Sequence, residues 1–521
     1  MAAHVLKSAP EEWVRGRVRA SRAKDSPQCR AEYELRDGET LSLAEHAQHA
    51  QRALGKPAGT LLRHLSLVEL SVEPSGRFEA FTSEAVDRSA DGQDRLRYVL
   101  KPGTPLPDTG DEQDGPADPT PAGDPDEAVR LFRDFFHRSA EILGYGPEPG
   151  TEFSFETDAG LAAPLDAAQR EEQTAAADVT LPADLLALYA LADGDDGDYY
   201  TGIFAGYMWF DLAYTLSGTH YRSEGDWTDG DPLSPVLEAS PPETVRRSPN
   251  RRGWIPFAGS EKSDCLAVDM DPGPNGRPGQ VIRLGGDDPC VYIADSVTTF
   301  VRRQVAALDR GDYFVHGDEH LDVDAGFREA PAPGDTAWWR VEDGSLRDMP
   351  RDVQCVTAWE AASGTDLEPL RGAPLLREVN WHGQGSLDLA PLRDTPLESL
   401  RLTLESVDLT PLTGHPTLRV VELGTERPVD LGALRTLPRL QGLDLSRAVV
   451  SGTEVIAELD GLLFLCLSYE QWRELGEQIG ALSSLAAVGL GGTPSPSEIH
   501  TWTTLFAADP ARGGHQLYTG R

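Results

Sequence analysis

The residues with the clearest potential for chemistry are His316, Glu319 and His320, which satisfy an HxxEH pattern. In zinc proteases that use this pattern, the two histidines bind the metal from one face of a helix and the glutamate serves catalysis. Gly317 lies inside the pattern, and the surrounding VHGDEHLDVD has more loop than helix character. The sequence therefore favours a surface loop here, with a metal-dependent hydrolase as an alternative.

A second candidate is the segment from Asp269 to Gly273, which begins like a calcium loop because alternate carboxylates can converge on a hard cation. Pro272 and Pro274 break the ligand spacing, and the twelfth position is Gln280 where a glutamate is needed. We therefore expect the end of a strand followed by a Pro-Gly turn.

A third candidate is an acidic cluster formed by Asp193, Asp195, Asp196 and Asp198. The cluster is interpreted as a solvated loop, and an acidic contact surface for a basic partner is the alternative. GxSxG, Walker and HExxH motifs do not occur, and Gly489, Gly491 and Gly492 do not precede a phosphate-binding helix. The sequence predicts no catalytic residue, no cofactor and no metal, and therefore a non-enzymatic protein.

Charge and cysteine content narrow the choice of partners and compartment. The formal net charge of −38 would repel nucleic acid and anionic membranes, and it would attract a protein with a basic surface. The five cysteines are far apart and form no CxxC pair, which indicates thiols in a reducing compartment and a cytoplasmic protein. Nothing in the sequence indicates an oligomeric state.

A chain of 521 residues is expected to contain several domains. Residues 103–125 are rich in Pro, Gly and acid, so we expect a flexible linker that isolates a small α+β domain at residues 1–102. Residues 126–310 show two helical patterns followed by short strands, which indicates a second α+β domain. A connector at residues 311–350 leads to the repeats.

The strongest pattern is an Lxx(L/V)xL repeat that begins at Leu376, Leu397, Leu418, Leu440, Leu462 and Leu485. A second feature, an aspartate at positions 366, 388, 408 and 430, recurs in phase with four of these strands. This combination is typical of leucine-rich repeats, in which each unit buries its leucines against its neighbours. The sequence predicts a solenoid at residues 351–492, with a C-terminal cap and tail at residues 493–521.

Strand alternation within the repeats predicts which side chains face the core and which face outward on the concave sheet. The inward set is Val379, Trp381, Leu400, Leu402, Val421, Leu423, Leu443 and Leu445. The outward set is the predicted protein-binding surface, and it consists of Glu378, Asn380, His382, Ser399, Arg401, Thr403, Glu422, Asp444 and Phe464.

The middle domain resembles the SUKH superfamily, which includes fungal cell-wall assembly regulators and bacterial toxin-immunity proteins. The residues that carry the resemblance are Leu181-Pro182, Leu186, Tyr189, Asp193-Gly194, Gly206 to Trp209, Trp254 to Phe257, Leu266 to Asp269 and Gly279 to Ile282. The resemblance implies an α+β domain that binds a protein, with no catalytic residues to carry over.

Together these features predict a multidomain α+β protein with a small N-terminal α+β domain, a SUKH-like domain and a C-terminal leucine-rich-repeat solenoid. The expected function is immunity-type neutralisation of a toxin by binding. A regulatory scaffold for cell-wall or signalling proteins is the non-enzymatic alternative.

Overall fold

The computed structural model describes most of the chain. The described residues are 1–23, 26–37, 39–46, 48–62, 65–88, 95–144, 155, 160–196, 203–217, 227, 232–259, 264–285, 290–316, 320–323, 337–342, 344–506 and 515–520. Among the helices in these residues, none is both long and apolar enough to cross a membrane.

The described part of the first hundred residues contains both strands and helices. The elements are α1 (Ala2–Lys7), β1 (Trp13–Ala23), β2 (Ser26–Leu35), β3 (Thr40–Ser42), α2 (Leu43–His46), α3 (Gln48–Leu61), β4 (Leu67–Val72), β5 (Phe78–Ser83), β6 (Val86–Arg88) and β7 (Arg95–Val99). β1 pairs antiparallel with both β2 and β4, and Val18 and Ala20 on β1 are buried beneath the helices.

The middle of the chain packs helices against an antiparallel sheet. The elements are α4 (Pro125–Leu143), α5 (Ala167–Ala176), α6 (Ala183–Leu188), β8 (Met208–Trp209), α7 (Leu212–Ser217), β9 (Trp254–Gly259), β10 (Cys265–Asp269), β11 (Gln280–Leu284), β12 (Val291–Ala294), α8 (Val297–Arg310), β13 (Tyr313–His316) and β14 (His320–Val323). The five strands β8 to β12 form one sheet in the order β12-β11-β10-β9-β8.

Helix α4 shows how the sequence sets the bounds of an element in this part of the chain. The Asp124 carboxylate accepts the backbone N–H of Glu127 at 3.0 Å, and Pro125 occupies the first turn, where no helical partner for an N–H is lost. The helix ends at Gly144, whose φ of 73° is in the left-handed region that favours glycine. Its apolar stripe, including Phe132 and Phe135, is fully buried against α8 and the sheet.

The C-terminal part contains the predicted strand of each repeat. Its elements are β15 (Trp338–Arg340), β16 (Cys355–Ala361), β17 (Glu378–Gly383), β18 (Ser399–Leu404), β19 (Val420–Thr425), β20 (Gly442–Arg447), β21 (Phe464–Leu467), α9 (Tyr469–Leu475), β22 (Ala487–Gly491), α10 (Pro496–Thr504) and β23 (Gln516–Gly520). We call the sheet that β15 to β22 form, each strand parallel to the next in chain order, the repeat sheet. The predicted inward set is at most 1% exposed, so the predicted alternation is confirmed.

Each recurring aspartate lies one residue before the N-cap of a short 3₁₀ helix and hydrogen-bonds to its first residue. The carboxylates of Asp366, Asp388, Asp408 and Asp430 accept the backbone N–H two residues further on, at 2.9, 2.9, 2.9 and 2.8 Å. This local bond satisfies an N–H that has no partner within so short a helix. The aspartates therefore fix the turn that brings each chain segment back to the next strand.

The N-terminal segment does not form a separate domain, which corrects the boundary predicted at residue 102. β7 pairs antiparallel with β22, so that β7 and β6 extend the repeat sheet. In exchange, the C-terminal β23 pairs with β5 in the N-terminal sheet, whose order is β23-β5-β4-β1-β2-β3. Phe81 and Leu96 lie in the same apolar core as the repeat leucines.

Residues 103–125 are fixed by polar contacts, which corrects the prediction of a flexible linker. Thr109 donates to the Arg247 carbonyl at 2.6 Å, and Arg246 donates to the Gly110 carbonyl at 2.8 Å. Glu112 accepts from Arg419 at 2.6 Å. The absence of large apolar side chains made this segment look unable to fold, but its carboxylates and carbonyls are satisfied by arginines of the other two parts of the chain.

Candidate functional site

The predicted binding residues lie on one face of the repeat sheet, opposite the leucine core. We call this the polar face. Strand pairing aligns Asn380 with Arg401, Arg401 with Glu422, and Glu422 with Asp444 across neighbouring strands. The same register aligns Glu378 with Ser399 and His382 with Thr403.

A ladder of charges runs along the middle of the polar face. The guanidinium of Arg401 lies 3.4 Å from a carboxylate oxygen of Glu378 and 3.7 Å from one of Glu422. The guanidinium of Arg95 lies 2.8 Å from a carboxylate oxygen of Glu422 and 2.7 Å from one of Asp444. Arg95 comes from β7, which lies between β22 and β6 in the sheet. Arg95 therefore ties the N-terminal part of the chain to two repeats.

Burial and neighbouring charges together shift the pKa values of these acids in different directions. Burial is the main cause that raises the pKa of Glu378 to about 7, and the negative charge of the nearby Glu422 adds to it. Burial also acts to raise the pKa of Glu422, but Arg95, Arg401 and Arg447 outweigh it and lower that pKa. Because these carboxylates are at most 8% exposed and already paired within the chain, they are not available as a free contact surface.

The C-terminal end of the polar face is covered by Trp227. This side chain is 1% exposed and packs against Phe464, Cys466 and Ala487. Its indole N–H donates to the Thr104 carbonyl at 2.8 Å, and its own carbonyl accepts from Arg97 at 2.9 Å. Phe464, predicted as an apolar contact for a partner, is instead buried by the chain itself.

The edge where the repeat strands begin is the contact with the middle domain. Gln354 and Glu238 exchange two hydrogen bonds, in which the Glu238 N–H donates at 2.6 Å and the Gln354 amide donates to the Glu238 carbonyl at 2.9 Å. Arg247 lies 2.7 Å from Glu398. We call this set of contacts, together with Trp227 and residues 103–125, the internal seam.

The polar face stays open at its N-terminal end. Trp338 is 45% exposed and Trp359 is 53% exposed, on the neighbouring strands β15 and β16. The ring of Trp359 stacks on His382 with 4.4 Å between ring centroids and 20° between planes. His382 Nε2 lies 3.1 Å from the Asn380 side-chain oxygen, which can only accept, so the hydrogen bond is donated by Nε2–H. Burial lowers the pKa of His382.

The predicted binding set included neither Trp338 nor Trp359. Trp338 is exposed, whereas the adjacent Trp339 is partly buried against the repeat core, as expected for neighbours on a strand. The signal that could have found Trp359 is Val356, which aligns with the inward-facing Val379 on β17. Extending the inward position of Val356 by alternation would place Trp359 on the polar face.

The candidate metal sites are explained by structural roles. His316 and His320 lie opposite each other on two antiparallel strands, β13 and β14, so they cannot supply one face of a helix. Glu319 lies outside the described residues. Among the described residues, no group of three or more His, Cys, Asp or Glu side chains is arranged to hold a metal ion.

Asp269 is a buried hydrogen-bond acceptor at the end of β10. Its two oxygens accept the Asp271 N–H and the Gln280 amide, each at 2.9 Å. Gln280, the residue at the twelfth loop position, thus holds the carboxylate directly. Burial raises the pKa of Asp269 to about 7, against the opposing effect of these hydrogen bonds.

The aspartates of the acidic loop before β8 are also hydrogen-bond acceptors within the chain. Asp193 accepts the Leu212 N–H at 2.9 Å, and Asp195 accepts the Trp209 N–H at 2.8 Å. Gly194 between them has a φ of 89°, and a side chain there would meet the backbone of Asp211 at 2.9 Å. These two carboxylates therefore fix a tight turn, while Asp198 lies outside the described residues.

The middle domain matches a known family. Residues 164–303 match the SMI1 / KNR4 family (SUKH-1). The chain is 28% identical over 141 residues to a "Glucan synthesis regulatory protein" of Neurospora crassa, covering 26% of each chain. It is 29% identical over 152 residues to the "Cell wall biosynthesis/cell cycle regulator smi1" of Schizosaccharomyces pombe, covering 27% of this chain and 30% of that protein.

A third relative, "KNR4/SMI1 homolog 2" of Debaryomyces hansenii, is 34% identical over 88 residues, which are 17% of this chain and 14% of that protein. The chain therefore spans less than a third of the length of each of these relatives.

Two solved structures show a distant likeness. They are the Listeria monocytogenes internalins inlF, at 20% identity, and inlC2, at 17% identity. The likeness covers 29% of this chain and 46% of inlF with a TM-score of 0.21, and 34% of this chain and 87% of inlC2 with a TM-score of 0.24. Scores this low support no argument about the fold. The family match is confined to residues 164–303, which are similar to a SUKH-1 domain and are called the SUKH-1 domain below.

Proposed function

We propose that this chain is a non-enzymatic regulatory protein that binds another protein through the open end of the polar face. The observation that carries the proposal is the position of Trp338 and Trp359. Both are large, exposed aromatic side chains, and both lie at the end of the face that the chain leaves uncovered. Tryptophan is enriched among the residues that dominate binding energy at protein interfaces.

The surroundings of these tryptophans suit an interface. Asn380, His382 and Thr403 from the predicted site are partly exposed beside Trp359 and offer hydrogen-bonding groups. Apolar anchors with polar groups around them are the usual arrangement of a protein contact. We therefore retain these three residues as contacts and exclude Glu422, Asp444 and Phe464, which the chain covers.

We assign the repeat region to the leucine-rich-repeat solenoids. Its parallel strands, their spacing of 21 to 23 residues and the repeated 3₁₀ turns support this assignment. In the proposal the solenoid supplies the binding face, and the internal seam holds the SUKH-1 domain in a fixed position beside it. The regulatory role is supported by the names of the fungal relatives.

Neutralisation of a toxin by binding is the second candidate. The observation that favours it is the net charge of −38, which would speed association with a basic toxin. Recovery of a single partner, toxic to cells when this chain is absent, would favour immunity. Recovery of several non-toxic partners would favour regulation.

We also propose a reducing, cytoplasmic setting. The five cysteines are free thiols, and Cys265, Cys355 and Cys466 are buried. Burial raises the pKa of Cys265 to about 12, which keeps this thiol protonated and poorly reactive.

The proposal is tested by affinity purification of the full chain from cells that produce it, with identified partners then purified and rebound. The double variant Trp338→Ala/Trp359→Ala should lose the partner, while Tyr518→Ala, an aromatic residue 49% exposed on β23, should retain it. Thermal unfolding of all three proteins establishes that the variants are folded. Retention of the partner by the double variant contradicts the proposed surface.

A further inference from the structure

Trp359 is exposed but held in one orientation. One face of its ring is stacked on His382, and its backbone N–H donates to a carboxylate oxygen of Glu342. The strand is irregular here, because the pairing register shifts between Ala358 and Ala361. Glu360 has a φ of 61°, a left-handed conformation that is uncommon for residues other than glycine. Such irregularities redirect a side chain relative to a regular strand.

The site around the indole is electron-rich. The face of an aromatic ring carries negative potential. The exposed Glu342 accepts the Trp359 backbone N–H, and Glu360, the next residue in the chain, is also exposed. The charge of the whole chain, −38, favours the approach of cations from a distance. The local and the long-range potentials therefore have the same sign.

We propose that Trp359, Glu342 and Glu360 form a slot for an arginine or lysine side chain of a basic segment of the partner. The location rests on the proposed function, and the chemistry of the slot is the new element. A cation over the open ring face gains from the ring quadrupole, and the two carboxylates offer it hydrogen-bond acceptors. Arginine suits the slot better than lysine, because its planar guanidinium stacks on a ring while it pairs with a carboxylate.

Arg340 limits the extent of the slot. It aligns with Thr357 on the neighbouring strand, and its side chain is exposed. A uniformly basic segment lying across both strands would meet this like charge. We therefore assign the basic side chain of the partner to the Trp359 end of the open surface only.

The test uses two labelled peptides of equal length, one of alternating arginine and serine, the other with citrulline in place of each arginine. Citrulline keeps the planar shape of the side chain but carries no charge. The full chain should bind the arginine peptide, with affinity that falls as salt rises, and should bind the citrulline peptide at least about tenfold more weakly. Fluorescence anisotropy measures both affinities.

Three variants separate the slot from general attraction to an acidic protein. Trp359→Ala and Glu342→Gln/Glu360→Gln should each weaken binding of the arginine peptide about tenfold. Glu426→Gln/Glu477→Gln, which removes the same charge from exposed positions elsewhere, should leave the affinity nearly unchanged. Equal binding of the two peptides, or equal loss in both double variants, overturns the inference.

The outcome is distinguishable from failure of the proposed function. If Trp338→Ala/Trp359→Ala loses the cellular partner but the arginine and citrulline peptides bind alike, the surface is a protein interface and the cation slot is wrong. If that variant keeps the cellular partner, the proposed function is wrong whatever the peptides do.

Discussion

Two tryptophans of neighbouring strands show how one residue type serves opposite purposes in this molecule. Trp381 on β17 is fully buried among the repeat leucines, whereas Trp359 on β16 is 53% exposed. We expect Trp381→Ala to destabilise the fold by about 3–5 kcal/mol through the cavity it leaves. Trp359→Ala should change stability by no more than about 0.5 kcal/mol. Urea unfolding of the two variants measures both, and similar losses would show that Trp359 is a core residue.

Asp269 should make the stability of the SUKH-1 domain depend on pH. Its pKa is about 7 in the fold, above the value of 3.8 for an unperturbed aspartate. The folded state therefore holds a proton that the unfolded chain has lost, and stability falls as pH rises from about 4 to about 7.

Asp269→Asn, which cannot ionise, should remove this dependence. The melting temperature of the variant minus that of the natural chain should therefore be larger at pH 8 than at pH 5. The matched control is Glu426→Gln, at an exposed position. A constant difference between the Asp269 variant and the natural chain at both pH values contradicts the assignment.

At the level of single residues, alternation along a strand predicts on which face of the sheet a side chain lies. It does not predict whether that side chain is exposed to solvent. The outward positions of Glu422 and Phe464 followed from the repeat pattern. Their burial did not, because the covering groups Arg95 and Trp227 are far away in sequence and carry no periodic signal. Long-range ion pairs depend on the folded arrangement of the chain and leave no trace in local spacing.

Among the elements, the repeated 3₁₀ turn gives a test of the repeat architecture. The Asp408 carboxylate accepts the Thr410 N–H at 2.9 Å, and hydrogen bonding to Thr410 lowers the pKa of Asp408. We expect Asp408→Ala to destabilise the repeat region by about 1 kcal/mol, as for loss of a helix cap. Asp408→Asn keeps an acceptor and should lose less. Urea unfolding at pH 7 compares the two, and equal losses would mean that the hydrogen bond is unimportant.

The attachment of β7 to the repeat sheet depends on Arg95. Replacing it with methionine leaves the buried Asp444 carboxylate without its arginine, at an expected cost of about 3–5 kcal/mol. Adding Asp444→Asn to this variant should recover part of the loss, because the uncompensated charge is then absent. Chemical unfolding of the single and double variants tests this. A double variant no more stable than Arg95→Met would contradict a role for the ion pair.

The elements differed in how well the sequence predicted them. The repeat strands were predictable because Lxx(L/V)xL recurs with the period of the structure, and α4 was predictable from its one-sided apolar stripe. Residues 103–125 were not predictable, because polar side chains fix them to arginines more than a hundred residues away. The exchange of β7 and β23 was hidden for a similar reason, since a short strand does not specify its pairing partner.

For the whole molecule, the internal seam divides the polar face into a covered part and an open part. Arg247, Gln354 and Trp227 join the SUKH-1 side of the chain to the repeats through contacts that are mostly buried. The N-terminal segment closes the other edge through β7. Among the described residues, the open part of the repeat sheet lies around Trp338, Trp359 and His382, and we propose that a partner binds there.

The most direct test of this account is the hydrogen-exchange footprint of the full chain bound to the partner recovered by affinity purification. We predict added protection at residues 357–360 and 380–383, with little change at residues 227, 232–251 and 464–467, which the chain already covers. Added protection confined to the SUKH-1 domain at residues 164–303 would contradict the account. So would a change in hydrogen exchange showing that the residues of the internal seam separate when the partner binds.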